Sequence, residues 1–100
     1  MELAWTPRAQ RDRQAAIDYI ARDNPMAALG QLDEIERQTD MLRQYPRMGR
    51  PGRADGTFEL VISHTPFIVV YRLRPRMQRI ELIRLLHSAQ CWPPAQDTGT

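Results

Sequence analysis

Pro46-Arg-Met-Gly-Arg-Pro-Gly-Arg-Ala-Asp-Gly56 divides the chain in two. Its three glycines and two prolines interrupt any regular helix or strand, so the segment reads as a loop. Most of the chain before it has helical punctuation, and most of the chain after it has the texture of strands. Arg47, Arg50 and Arg53 recur at every third position within it. A locally polyproline-like backbone would set their guanidinium groups on one side, ready for a partner. A solvated loop with no partner is the alternative.

Toward the N-terminus, Tyr45–Pro46 closes a helical half. Thr6–Pro7 pairs a hydroxyl N-cap with proline at the first helical position. The helix this predicts runs to about Arg22, with Ala9, Ala16, Ile17 and Ile20 inward and Arg8, Arg11, Asp12 and Arg22 outward. Asp23-Asn-Pro25 repeats the punctuation and starts a longer helix to about Gln44. Ala28, Leu32, Ile35 and Leu42 form its apolar stripe, and Thr39 fills the gap. Gly30 weakens this helix and is expected to mark close contact with the first one. So tight a corner makes the pair an antiparallel hairpin. Leu3–Trp5, ahead of it, reads as a short strand.

Toward the C-terminus, three strands are expected at Thr57–Ser63, Pro66–Leu73 and Arg79–His87. The turns lie around His64 and at Arg74–Met77. Phe67-Ile-Val-Val-Tyr71 is apolar on both faces, which marks a central strand covered on both sides. Tyr71 is expected to bury its ring and send its hydroxyl outward. The order β-α-α-β-β-β predicts an α+β fold, a helical hairpin packed on a small, mainly antiparallel, four-stranded sheet. Residues 1–93 would form a single domain and residues 94–100 a flexible tail.

The chain has 100 residues, enough for one core. The apolar run Phe67–Tyr71 falls far short of the ~20 residues of a membrane span. Residues 1–5 lack the pattern of a secretory signal, and Cys91 stands alone, so a cytoplasmic location is the expectation. The 14 basic residues are all arginine. A GC-rich genome accounts for the total; the distribution says more. Ten of the 12 acids fall within residues 1–59, whereas Arg72, Arg74, Arg76, Arg79 and Arg84 face only Glu81 in the stretch after them. The second half is therefore a basic surface, fit for nucleic acid or for an acidic protein. No cofactor or metal is expected. Two distant histidines and one cysteine do not make a zinc site, and Gly49-Arg-Pro-Gly52 lacks the lysine and helix of a phosphate loop.

Several short motifs in this order carry a resemblance. They are Trp5-Thr-Pro-x-Ala9, Asp18-Tyr-Ile20, Asp23-Asn-Pro25, Pro46-x-x-Gly-Arg-Pro-Gly-Arg53, Gly56-Thr-x-Glu-Leu60, Ile68-Val-Val-Tyr-Arg72 and Leu86-His-Ser-Ala-Gln90 followed by Trp92. Together they resemble the RelE/ParE superfamily of type II toxin–antitoxin systems, over residues 3–93. The resemblance implies a toxin with one of two activities. RelE-like members cleave mRNA on the ribosome with basic residues on the sheet; the matching positions here are Glu59, Val61 and Ile68, none of them basic. A second ribonuclease style ends in His–Tyr, but here Ser88 follows His87. ParE-like members inhibit DNA gyrase by binding, and the chain reads as nearer to that branch.

No catalytic residue is assigned. His87, Glu59 and Arg72 are candidates, each with a structural alternative: a strand-end histidine, and a cross-strand ion pair between Glu59 and Arg72. The candidate contacts to a target or partner are Arg47, Arg50 and Arg53 in the loop, Arg72, Arg74, Arg79 and Arg84 on the strands, and Trp92, which is either a lid or an exposed anchor. Many ParE-type chains have arginine where this one has Phe58, so contacts there would differ. The resemblance further implies a ParD-like antitoxin forming a hetero-oligomer with the toxin, and operator DNA contacted only through that antitoxin. Two alternatives stay open, a RelE-like ribosome-dependent endoribonuclease and an inactive toxin kept as an antitoxin-binding module.

Overall fold

Thr6 and Asn24 begin the two helices in the computed structural model, which describes residues 1–94. The expected tail, residues 94–100, lies outside that range apart from Pro94. Thr6 accepts from the Ala9 N–H at 3.2 Å and donates its hydroxyl to the Leu82 carbonyl at 3.0 Å. One side chain thus caps α1 (Pro7–Ala21) and ties it to the last strand. Asn24 accepts from the Ala27 N–H at 3.0 Å and caps α2 (Pro25–Asp40). The second helix stops short of Gln44, because Met41–Arg43 tightens into a 3-10 turn. Gly30 does not mark a close approach: a Cβ there would meet nothing within 4 Å.

The sheet has five strands, not four. They are β1 (Glu2–Trp5), β2 (Arg50–Pro51), β3 (Phe58–Val61), β4 (Phe67–Arg74) and β5 (Arg79–His87), in the order β1-β5-β4-β3-β2. The addition is the two-residue β2 inside the arginine loop, where Arg50 pairs with Glu59 and Pro51 with Phe58. Its proline suits a sheet edge, where one missing N–H costs no ladder bond. Pairing is antiparallel except between β1 and β5, which run parallel; the helical hairpin carries the chain from β1 to β2 at the opposite edge of the sheet. The central strand is as expected: Phe67 through Tyr71 are all buried.

Ile35 and Leu42 from the helical side pack against Leu60, Ile62, Val69, Tyr71, Ile80 and Leu82 of the sheet. Thr39 sits in the same stripe and donates its hydroxyl to the Ile35 carbonyl at 2.7 Å, which satisfies it within the helix. Buried Gln38 exchanges two bonds with the Ser63 backbone, at 2.8 and 3.0 Å, and so pins the end of β3 to α2. Between Val70 and Tyr71 the β4–β5 register slips: Val70 faces Arg84 and Tyr71 faces Leu82, leaving Ile83 as the extra residue of a bulge.

Candidate binding surface

Three arginine clusters are distributed around the sheet, each organised by a single acidic residue. The first is the loop between the 3-10 turn and β3. Tyr71 does not send its hydroxyl to solvent. The ring is fully buried, and the hydroxyl donates to the Pro46 carbonyl at 2.8 Å while accepting from the Gly49 N–H at 3.0 Å. Glu59 is 1% exposed and holds the far half of the loop. One oxygen accepts from an Arg50 guanidinium nitrogen at 3.0 Å; the other accepts from the Arg53 N–H at 2.9 Å and from Arg53 Nε at 3.1 Å. Burial pushes this carboxyl up, but the Arg53 backbone and the two guanidinium groups outweigh it and hold the group below the usual carboxylate range.

Phe58 stacks on Tyr71 with centroids 5.4 Å apart, and the Arg47 guanidinium lies 5.9 Å from the Phe58 centroid. The aromatic at this position therefore serves as a platform for the loop. All three loop arginines converge on Phe58–Glu59. The expected Glu59–Arg72 pair does not form: Glu59 lies opposite Val70, while Arg72 lies opposite Glu81.

The second cluster flanks the β4–β5 turn. Tyr71, Leu73, Ile80 and Leu82 pack into the core, so the alternating Arg72, Arg74, Arg79 and Glu81 belong to the sheet face away from the helices. Glu81 accepts from Arg72 Nε at 2.7 Å and from Arg74 Nε at 3.2 Å, and lies 3.7 Å from an Arg79 nitrogen. The Arg72 bond, with burial opposing and Arg74 assisting, keeps the Glu81 carboxyl below its ordinary value. One carboxylate thus serves three guanidinium groups.

The third cluster joins α1 to β5. Asp12 does not face outward. Its carboxylate accepts from Arg84 Nε at 2.7 Å, from the Leu85 N–H at 3.0 Å and from Arg8 Nε at 3.2 Å. The Leu85 amide follows directly on the bulge, and Asp12 supplies its acceptor. Sequence periodicity could have signalled this, since Asp12 falls between Ala9 and Ala16 on the inward stripe. Arg84 also lies 5.3 Å from the Trp92 ring centroid, and Trp92 is half-buried. Beside this junction a groove of about 450 Å³ runs between α1 and the hairpin ends, lined by Ala15, Tyr19, Ile20, Phe67, Leu85 and His87.

His87 is exposed. Its Nδ1 accepts from the Ala89 N–H at 3.1 Å, and its ring meets Phe67 edge-on at 6.0 Å. Among the described residues no carboxylate pairs with it, so nothing orients it as an acid or base. Of the three sheet positions singled out by the resemblance, Glu59 is enclosed by arginines, Val61 is an exposed apolar side chain and Ile68 is buried. Among the described residues no group of three His, Cys, Asp or Glu could hold a metal ion, and no helix is long and apolar enough to cross a membrane.

Comparison with known proteins agrees with this architecture. The chain is 37% identical over 91 residues to a Sinorhizobium fredii protein named "Putative toxin Y4kP", covering 91% of this chain and 92% of that one. It is 28% identical over 89 residues to Toxin RelE2 of Caulobacter vibrioides, covering 89% and 97%. Among solved structures, the chromosomal ParDE toxin–antitoxin system of P. aeruginosa superposes with a TM-score of 0.79 at 28% identity, covering 87% of this chain and 95% of that one. Residues 3–92 match the family described as the ParE toxin of the type II toxin–antitoxin system parDE. The chain therefore belongs to the ParE toxin family of type II toxin–antitoxin systems.

Proposed function

We propose that this toxin acts in the ParE manner: it inhibits DNA gyrase by binding, performs no chemistry of its own, and is neutralised by a cognate ParD-like antitoxin in the cytoplasm. One observation carries the choice of branch. RNA scission needs a base, an acid and cations around the phosphate. The sheet positions that would supply them hold a neutralised Glu59, an apolar Val61 and a buried Ile68.

The antitoxin fits the groove between α1 and the hairpin ends. That groove is largely apolar and includes exposed Tyr19 of α1; Leu29 of α2 is a further exposed apolar side chain. An amphipathic segment that folds on binding would cover both. Operator DNA would be contacted through the antitoxin in a toxin–antitoxin hetero-oligomer. A ribosome-dependent endoribonuclease is the second reading; the likeness to a relative named RelE2 and the solvent-facing His87 favour it.

Inducing the toxin in cells without the antitoxin gene tests the choice. DNA breaks with an SOS response are the expected result. Rapid mRNA cleavage would transfer the chain to the ribonuclease reading, and unimpeded growth would make it an inactive antitoxin-binding module.

A further inference from the structure

The β4–β5 turn has a composition that stability alone does not explain. Arg74 and Arg79 stand directly opposite each other across the ladder. Like charges so placed destabilise an antiparallel pair. Their relief comes from Glu81, whose shorter bonds are to Arg72 and Arg74 and which lies 3.7 Å from Arg79. Arg76 adds a further cation in the turn itself. The turn and its flanks thus carry four arginines and one glutamate, a surplus of three positive charges. Glu81 offsets only one of these charges, and the cationic surplus left on the turn makes it a surface for an anionic partner.

Beside the charges lies a hollow of about 550 Å³ lined by Leu73, Arg74, Pro75, Arg76 and Met77, with Met77 54% exposed. Arginine and methionine are enriched at protein–protein contacts, where an apolar centre is rimmed by polar groups.

We infer that the β4–β5 turn receives an acidic segment of the poisoned protein, which places one apolar side chain in the hollow among Leu73, Pro75 and Met77 and its carboxylates on Arg74, Arg76 and Arg79. A phosphate backbone would satisfy the cations but bring nothing to fill an apolar hollow. The antitoxin groove is at the other end of the same hairpin. Phe67 lines that groove and Arg74 this one, so seven strand steps, roughly 23 Å, separate them. Two partners can therefore be distinguished by two surfaces. This inference rests on the gyrase reading and adds the place and chemistry of the contact.

The test uses the full chain as wild type, as Arg74→Thr/Arg79→Thr and as Met77→Ser. Threonine keeps strand propensity while removing the charges. Inhibition of gyrase supercoiling, antitoxin affinity and binding to a short DNA duplex without gyrase are measured for each. The double substitution is expected to raise the half-inhibitory concentration by roughly 30-fold or more, the scale of lost hot-spot arginines. Met77→Ser is expected to raise it by about fivefold, as for a lost apolar anchor. Antitoxin affinity should stay unchanged in both, which also establishes that they fold. Undiminished inhibition by the double variant would overturn the inference, as would a parallel loss of antitoxin binding. Duplex binding by the wild type that the double substitution abolishes would reassign the turn to nucleic acid. A wild-type chain without effect on gyrase would refute the functional reading itself, and this inference with it.

Discussion

Tyr71 and Glu59 hold the arginine loop from its two halves, and neither works as an ordinary core or surface residue. Tyr71→Phe keeps the ring but leaves the Pro46 carbonyl and Gly49 N–H without their shared partner. A loss of about 1–3 kcal/mol is expected, the range for orphaned buried polar groups, measurable by urea denaturation. Glu59 makes a pH prediction. Its folded-state value lies below its unfolded-state value, so its contribution is full above roughly pH 4.3 and is lost as pH falls through the folded value. Glu81 acts in the same direction. Wild-type stability should therefore decline in acid more steeply than that of Glu59→Gln. Parallel acid profiles for the two proteins would show that Glu59 does not clasp the loop.

At the scale of elements, the glycines of the loop and of α2 make opposite predictions. A Cβ at Gly49 would stand 2.7 Å from the Tyr71 hydroxyl and 2.8 Å from the Glu59 carbonyl, so Gly49→Ala must push the loop off its anchors. Gly30, exposed in α2 with open space around it, should gain about 1 kcal/mol as alanine through helix propensity. Thermal denaturation of the two variants should move the midpoint in opposite directions. Likewise, Arg79→Thr should raise stability slightly, by about 0.2–1 kcal/mol, by ending its opposition to Arg74.

Much of this level was legible beforehand. Thr6–Pro7 and Asn24–Pro25 locate both helix starts because capping is a local matter of side-chain reach. The buried run Phe67–Tyr71 locates the central strand for the same reason, since pattern follows burial. What could not be read depends on contacts distant in the chain. Arg50–Pro51 becomes a strand only because Phe58–Glu59 lies beside it. The bulge at Ile83 has no local signature, and with it goes the reason Asp12 turns inward to the Leu85 amide. The arginines were legible as a basic half, but not their division among Glu59, Glu81 and Asp12. That division separates loop arginines committed to Glu59 from those at the β4–β5 turn, which keep a surplus.

For the whole molecule, the account is of a sheet that presents surfaces and holds no oriented acid–base pair among the described residues. On the gyrase reading proposed above, His87→Ala should match the wild type in inhibition within about twofold, because His87 pairs with no carboxylate among the described residues. The most direct test of binding without chemistry is supercoiling of relaxed plasmid by purified gyrase and ATP, with the purified toxin added at increasing ratio. Supercoiling should stop near stoichiometric toxin and return when the antitoxin is supplied; supercoiling that proceeds unchanged at a large excess of folded, antitoxin-binding toxin would contradict the account.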